Sequence, residues 1–144
     1  LVIYPNNDPG SEVIVKTLHE KFDGNNKFKI IPSLRFEYFL TCLKNADYII
    51  GNSSCGVREA PFYGLPAINL GIRQDNRAFS KSIINCSFEV DEILNAISNT
   101  STMSRIPSNE FGDGNSAAHF YKVMISFLEK DIEIQKSISD VYDI

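Results

Sequence analysis

Short apolar segments that alternate with amphipathic segments are the feature that most limits how this chain can fold. The apolar segments run largely without polar interruption, as is typical of parallel strands buried on both faces. In chain order they are LVIY (1–4), KFKIIP (27–32), DYII (47–50), AINL (67–70) and SIINC (82–86). Strands of this kind, separated by helices, predict an α/β fold built on a parallel sheet.

The intervening segments carry apolar residues three or four positions apart, which is the spacing of one helix face. They cover residues 11–22, 35–46, 56–63, 89–99 and 116–130. Ser11 is a candidate N-cap for the first helix, and Gly64 is expected to end the third. This order predicts a Rossmann-like sheet with helices on both faces.

Composition and charge exclude several classes of protein. The 144 residues suffice for one domain with a real core, and the net charge of −4 argues against a general nucleic-acid binder. No apolar run approaches the ~18 to 20 residues that span a bilayer. The opening LVIYPNNDPG does not resemble a signal peptide. Three widely spaced cysteines are typical of reduced thiols, so we expect a cytoplasmic protein. Because the sequence starts on a core strand, we also expect further sequence upstream.

The cysteines and histidines give no sign of a metal or catalytic site. Cys42, Cys55 and Cys86 form no CxxC pair and have no cysteine/histidine ligand spacing, so we expect reduced thiols and no metal. Cys55 follows a strand and precedes a predicted helix, a position that can lower the pKa of a thiol. His19 and His119 lie on predicted helices, and we expect both to be structural.

Three polar segments follow predicted strands, and all three should line one edge of the sheet. They are PNNDPGS (5–11), GNSSCG (51–56) and GIRQDNR (71–77). Ligands of open parallel sheets bind beyond the carboxyl ends of the strands, so these segments predict the binding site.

The GNSSCG segment has the chemistry of a phosphate cradle. Its small residues let backbone N–H groups approach a ligand, a following helix would add partial positive charge, and Ser53 and Ser54 add hydroxyl donors. Arg73 and Arg77 could neutralise a diphosphate through forked donors. Ordinary helix capping by an asparagine or serine is the alternative interpretation.

Glu59 needs a different account, because its carboxylate would repel a nearby phosphate. A carboxylate accepts hydrogen bonds from two adjacent hydroxyls, which a ribose offers, so phosphate and ribose together predict a nucleotide. A solvated glutamate on a helix face is the alternative. Phe39, on the preceding helix, could stack on a base, although an aromatic residue at helical spacing is more often part of the core.

The segment GNSSCGVREAPFYGLPAINLGIRQDNR (51–77), with PNNDPGS upstream and FGDGN downstream, resembles the UDP-N-acetylglucosamine 2-epimerases. The resemblance covers about residues 1 to 130 and is closest to the C-terminal half of the hydrolysing, sialic-acid-pathway branch. The non-hydrolysing branch has a segment of the type DSGG.QEE here, from which this chain departs.

The resemblance implies one half of a GT-B-type two-domain fold, with a UDP-sugar bound between Rossmann-like halves. Residues 1–130 would be the C-terminal nucleotide-binding domain, residues 131–144 a polar tail or helix, and the N-terminal domain would lie outside this chain. Ser53 and Ser54 would hold the diphosphate with help from Arg73, and the segment around Ser33 and Leu34 would face the base edge. The expected nucleotide-binding residues are Asn6, Phe39, Ser53, Ser54, Gly56, Glu59, Arg73 and Arg77.

The implied reaction converts UDP-N-acetylglucosamine and water to N-acetylmannosamine and UDP, by elimination to a glycal and hydration. The family's acid–base residues belong largely to the N-terminal half, so we expect no catalytic residue in this chain and no cofactor. Expected partners are UDP-N-acetylglucosamine or UDP, the N-terminal domain and further copies of the full enzyme, but neither nucleic acid nor membrane. Alternatives are a non-hydrolysing epimerase, a GT-B glycosyltransferase half, a non-catalytic nucleotide-sugar module, or a guanosine carrier in place of uridine.

Overall fold

A computed structural model describes residues 1–130 of the chain. These residues divide into two compact units, the first from Leu1 to Ser108 and the second beginning at Asn109. The predicted tail, residues 131–144, lies outside the described residues.

The first unit alternates strands and helices, as the sequence predicts. Its elements are β1 (Val2–Ile3), α1 (Ser11–Phe22), β2 (Ile30–Ile31), α2 (Phe36–Lys44), β3 (Ile49–Gly51), α3 (Glu59–Phe62), β4 (Ala67–Leu70), β5 (Ile83–Cys86) and α4 (Val90–Thr100). The second unit contains α5 (Ser116–Leu128). No helix within residues 1–130 is long and apolar enough to cross a membrane.

Every strand pairing in the described residues is parallel, which confirms the predicted α/β class. The central strand β4 pairs with β3 and β5, with Ile68 in register with Ile50 and Ile84. β1 pairs with β2 in a separate two-stranded sheet, so the single predicted sheet is two hydrogen-bonded sheets in this part of the chain. The smaller ladder is short because Pro5 follows β1 and has no N–H with which to continue it.

The core of the first unit lies between β4 and the helices α2 and α3. Leu43 of α2, Ala60 of α3, Ala67 of β4 and Leu65, which precedes β4, are buried against one another. On the other side, α4 lies against β4 and β5. Burial on both faces explains why the AINL segment carries no charged residue.

The third helix is shorter than predicted. A 3₁₀ turn at Ser54–Gly56 and the four-residue α3 replace the predicted helix over 56–63. Gly64 ends α3 in the left-handed region at φ +63°, as the sequence predicts. The predicted cap at Ser11 is wrong, because Gly10 occupies the N-cap of α1 and no side chain caps that helix.

We expect Gly64→Ala to destabilise the fold strongly. An added Cβ would lie 2.6 Å from the carbonyl oxygen of Arg105, and φ is +63°. The left-handed conformation alone costs roughly 1–2 kcal/mol, and displacing a backbone carbonyl raises the loss to about 3 kcal/mol in urea denaturation. Gly24→Ala is the matched control, because φ is +79° there but nothing lies within 4 Å of the added atom. Equal losses at both positions would refute the steric argument.

The second unit consists, in its described part, of a loop and α5. The sequence places Phe120, Val123, Met124 and Phe127 on one helical stripe. All four side chains are exposed, and no residue of α5 is buried.

Candidate functional site

The three polar segments that follow β1, β3 and β4 meet at one cavity of ≈ 280 Å³, as the sequence predicts. For the segments after β3 and β4 this meeting follows from their parallel pairing, because the carboxyl ends of parallel strands lie at the same edge. The segment after β1, a strand of the separate two-stranded sheet, reaches the cavity through tertiary packing. The polar residues of the lining are Tyr4, Asn6, Asp8, Ser11, Asn52, Ser53, Ser54, Arg73, Gln74 and Arg77. The lining therefore includes five of the eight residues predicted to contact a nucleotide.

The serine segment forms a tight turn at the end of β3. The Ser53 hydroxyl oxygen accepts hydrogen bonds from the Cys55 backbone N–H at 3.5 Å and from the Cys55 thiol at 3.2 Å. These bonds agree with the capping interpretation, but they use Ser53 as an acceptor, so its hydroxyl hydrogen can still be donated to a ligand. The partial positive charge from a following helix is smaller than predicted, because α3 has only four residues.

Two arginines from the loop after β4 bring positive charge to the same cavity. Arg73 Nη1 lies 4.0 Å from Asp8 Oδ2, and both side chains are more than half exposed. An exposed pair at this distance contributes little to stability, so Arg73 can exchange Asp8 for a ligand at small cost. Arg77 donates from Nη1 to Gln74 Oε1 at 3.0 Å.

Glu59 is the first residue of α3 and does not line the cavity. The residue is half-buried, and its Oε2 atom is buried without a hydrogen-bond partner within residues 1–130. An unpaired buried oxygen of this kind is costly, because desolvation is not offset by a hydrogen bond.

Burial raises the pKa of the Cys55 thiol, and the nearby Glu59 carboxylate raises it further, although a hydrogen bond donated by the Ser53 hydroxyl to the thiolate works in the opposite direction. The expectation that the position before a helix could lower this pKa is therefore wrong. The helix that was to supply positive charge is short, and desolvation of the thiolate outweighs it.

Phe39 and Gly56 also lie outside the lining. Phe39 packs against the buried cluster of Leu43, Ala60, Leu65 and Ala67. Gly56 lies in the 3₁₀ turn, and a Cβ added there would make only an ordinary contact of 3.9 Å with Ala67. The structure therefore places Phe39 in the core, away from the serines and arginines, whereas Gly56 shares the turn of the serines, with its N–H donating to the Ser53 carbonyl oxygen at 3.1 Å.

Two features of the cavity escaped the sequence-based prediction. Tyr4 lines the cavity and its hydroxyl is hydrogen-bonded to His19 Nε2, while His19 Nδ1 lies 2.9 Å from both carboxylate oxygens of Asp23. His19 thus connects α1 to β1. Gln74 is buried beside Arg77 and donates to the backbone of Asn52. The four-residue spacing of His19 and Asp23 was visible in the sequence, but nothing there marked Gln74 as buried.

A metal site would need a group of three or more His, Cys, Asp or Glu side chains. No such group occurs in the part of the chain that the structure describes.

Comparisons with known proteins place residues 1–125 in one family. These residues match the model of the family described as UDP-N-acetylglucosamine 2-epimerase. The chain is 40% identical over 143 residues to the "UDP-N-acetylglucosamine 2-epimerase" of Neisseria meningitidis serogroup B, covering 96% of this chain and 37% of that protein.

Two further relatives carry different names. The "UDP-N,N'-diacetylbacillosamine 2-epimerase (hydrolyzing)" of Legionella pneumophila is 32% identical over 125 residues, which cover 86% of this chain and 33% of that protein. The "Polysialic acid biosynthesis protein P7" of Escherichia coli is 28% identical over 149 residues, covering 100% of this chain and 37% of that protein. The chain thus spans roughly a third of the length of each of these curated relatives.

Proposed function

Because the chain belongs to the UDP-N-acetylglucosamine 2-epimerase family, we propose that it is the nucleotide-binding, C-terminal half of a hydrolysing member of that family. The complete enzyme would convert UDP-N-acetylglucosamine and water to N-acetylmannosamine and UDP, by elimination of UDP and hydration of the glycal. This chain would hold the UDP portion, and the N-terminal half would supply the acid and base. The complete enzyme would be a cytoplasmic homo-oligomer that needs no cofactor.

The observation that carries this proposal is the meeting of Ser53, Ser54, Arg73 and Arg77 at one cavity. Two guanidinium groups offer forked donors to phosphate oxygens, and two hydroxyls add further donors. Asn6 lies in the same lining and would contact the ligand from the β1 side. A volume of ≈ 280 Å³ is at the lower limit of small-molecule sites, so the rest of a nucleotide-sugar would extend beyond the cavity.

Glu59 would accept hydrogen bonds from the ribose hydroxyls. Support comes from its unpaired, buried Oε2 atom, which a ligand hydroxyl would satisfy. Phe39 and the segment around Ser33 and Leu34 would approach the base, and Gly56 would keep the turn after β3 narrow.

The hydrolysing assignment draws on two observations. The GNSSCGVRE segment departs from the DSGG.QEE type, and the Legionella relative carries "hydrolyzing" in its name. The assignment to the sialic-acid branch is supported by the name of the Escherichia coli relative. Product analysis of the complete enzyme separates the alternatives: free N-acetylmannosamine supports the proposal, a nucleotide-linked product indicates a non-hydrolysing epimerase, and no product points to a glycosyltransferase or a non-catalytic module.

We expect Glu59→Gln to lower the affinity for UDP about tenfold, because the amide replaces one acceptor oxygen with a donor that cannot accept the second ribose hydroxyl. The affinity for 2′-deoxy-UDP should fall less, since that ligand lacks one of the hydroxyls. Titration calorimetry with both ligands measures the difference. Glu12→Gln, a change at an exposed carboxylate on α1, is the matched control. If both ligands lose affinity equally, Glu59 supports the loop and does not contact the ribose.

A further inference from the structure

Gln74 connects two of the three loops that form the cavity. Its side chain is only 4% exposed, although it lies in a loop. Nε2 donates to the backbone carbonyl oxygen of Asn52 at 2.9 Å, and Oε1 accepts from Arg77 Nη1 at 3.0 Å. The loop after β3 and the loop after β4 are therefore joined through one buried amide.

The partners of Gln74 determine which end of the amide points to which loop. A backbone carbonyl can only accept, and a guanidinium group can only donate, so the side chain must offer one donor and one acceptor. Glutamate lacks the donor, lysine lacks the acceptor and methionine lacks both. Glutamine therefore meets a requirement at this position that no charged or apolar side chain of similar length meets.

The bond to Asn52 also sets the direction of a neighbouring donor. The carbonyl of Asn52 and the N–H of Ser53 belong to one planar peptide group and point in opposite directions. Holding that carbonyl on Gln74 fixes the plane of this peptide group and with it the direction of the Ser53 N–H. The second bond fixes one of the five N–H donors of Arg77 and so the orientation of its guanidinium plane.

We propose that Gln74 is a positioning residue for anion binding, which orients the Ser53 peptide and the Arg77 guanidinium group together before a ligand arrives. The inference rests on the proposed diphosphate site and adds to it a residue that need not touch the ligand. Pre-organised donors raise affinity because their ordering cost is met during folding.

The test is titration calorimetry of the 144-residue chain with inorganic pyrophosphate and with UDP. Gln74→Met, which keeps the length and removes both bonds, should weaken binding of each ligand about tenfold. Gln74→Glu should weaken it further, because a carboxylate would face both the Asn52 carbonyl and the anion. Asn95→Met, which exchanges an exposed amide on α4 outside the lining for the same side chain, is the control and should alter affinity less than twofold.

A double-mutant cycle distinguishes positioning from a general loss of structure. In an Arg77→Ala background, Gln74→Met should reduce the ligand affinity by a smaller factor than in the wild type. The reason is that one of the two groups positioned by Gln74 has already been removed. The role of Gln74 would be overturned if Gln74→Met reduced the affinity by the same factor in both backgrounds, or if it left the affinity at the wild-type value. Either result would leave the proposed diphosphate site intact. A wild-type chain that binds neither pyrophosphate nor UDP would overturn both.

A second measurement needs no ligand. In nitrogen–proton NMR spectra of the free chain, Gln74→Met should shift the Ser53 amide signal and broaden the Arg77 Nε signal, while the signals of α4 stay in place. Unchanged Ser53 and Arg77 signals would overturn the inference without reference to any nucleotide. Shifts throughout α4 would assign Gln74 a structural role and would equally overturn it.

Discussion

The 144-residue chain is expected to bind UDP and to release no N-acetylmannosamine from UDP-N-acetylglucosamine. Elimination needs titratable groups within hydrogen-bond reach of C2 and of the leaving oxygen. The cavity offers hydroxyls, amides and two arginines, and its carboxylate, Asp8, lies beside Arg73. A chromatographic assay for free N-acetylmannosamine and UDP measures the result.

The proposed complete enzyme, in which an N-terminal half is joined to this chain, is the positive control for that experiment. Joined to the N-terminal half, the chain should support turnover, and Ser53→Ala or Arg73→Ala should then depress it because each removes a donor to the diphosphate. The proposed division of labour fails if the purified 144-residue chain turns over substrate and Asp8→Asn abolishes that activity. Such a result would place the catalytic machinery in this half.

UDP is expected to bind the chain at least about 100-fold more tightly than uridine. Charge-assisted hydrogen bonds contribute roughly 1.5–3 kcal/mol each, and uridine forms none with Arg73 or Arg77. Two such bonds suffice for the expected ratio. Added salt should weaken UDP binding and leave uridine binding nearly unchanged, since only the former involves exposed charges.

The double variant Arg73→Ala/Arg77→Ala should remove most of the difference between UDP and uridine in calorimetry. Lys16→Ala is the matched control, because this exposed cation on α1 lies outside the cavity. Equal affinity of the wild-type chain for UDP and uridine would refute the diphosphate assignment. A parallel titration with GDP shows whether the chain distinguishes guanine from uracil.

Much of the fold could be predicted because the local spacing of apolar residues indicates where the strands and helices lie. The apolar run at 67–70 coincides with the parallel strand β4, and the run at 47–50 overlaps β3, which ends one residue later at Gly51. The predicted helices at 89–99 and 116–130 agree with α4 and α5 to within two residues. Where local signals compete, the prediction failed. The segment 56–63 has helical spacing, yet only Glu59–Phe62 is α-helical, because the chain must turn out of β3 and into β4 within fifteen residues.

The sequence by itself determined that three polar segments follow three strands, and an open parallel sheet predicts that these segments share one edge. Pairing of β3 with β4 requires this for two of them, and tertiary packing brings the segment after β1 to the same cavity. The order of strands and polar segments along the chain was therefore enough to group Asn6, Ser53, Ser54, Arg73 and Arg77, which all line the cavity.

Only the tertiary structure decided which side chains are buried and what they contact. It packs Phe39 against the core, leaves Glu59 Oε2 without a partner within residues 1–130, and joins Gln74 to a carbonyl 22 positions earlier in the chain. Residue type and spacing cannot report these facts, because burial and hydrogen-bond partners depend on segments that are distant in sequence and meet only when the strands pair.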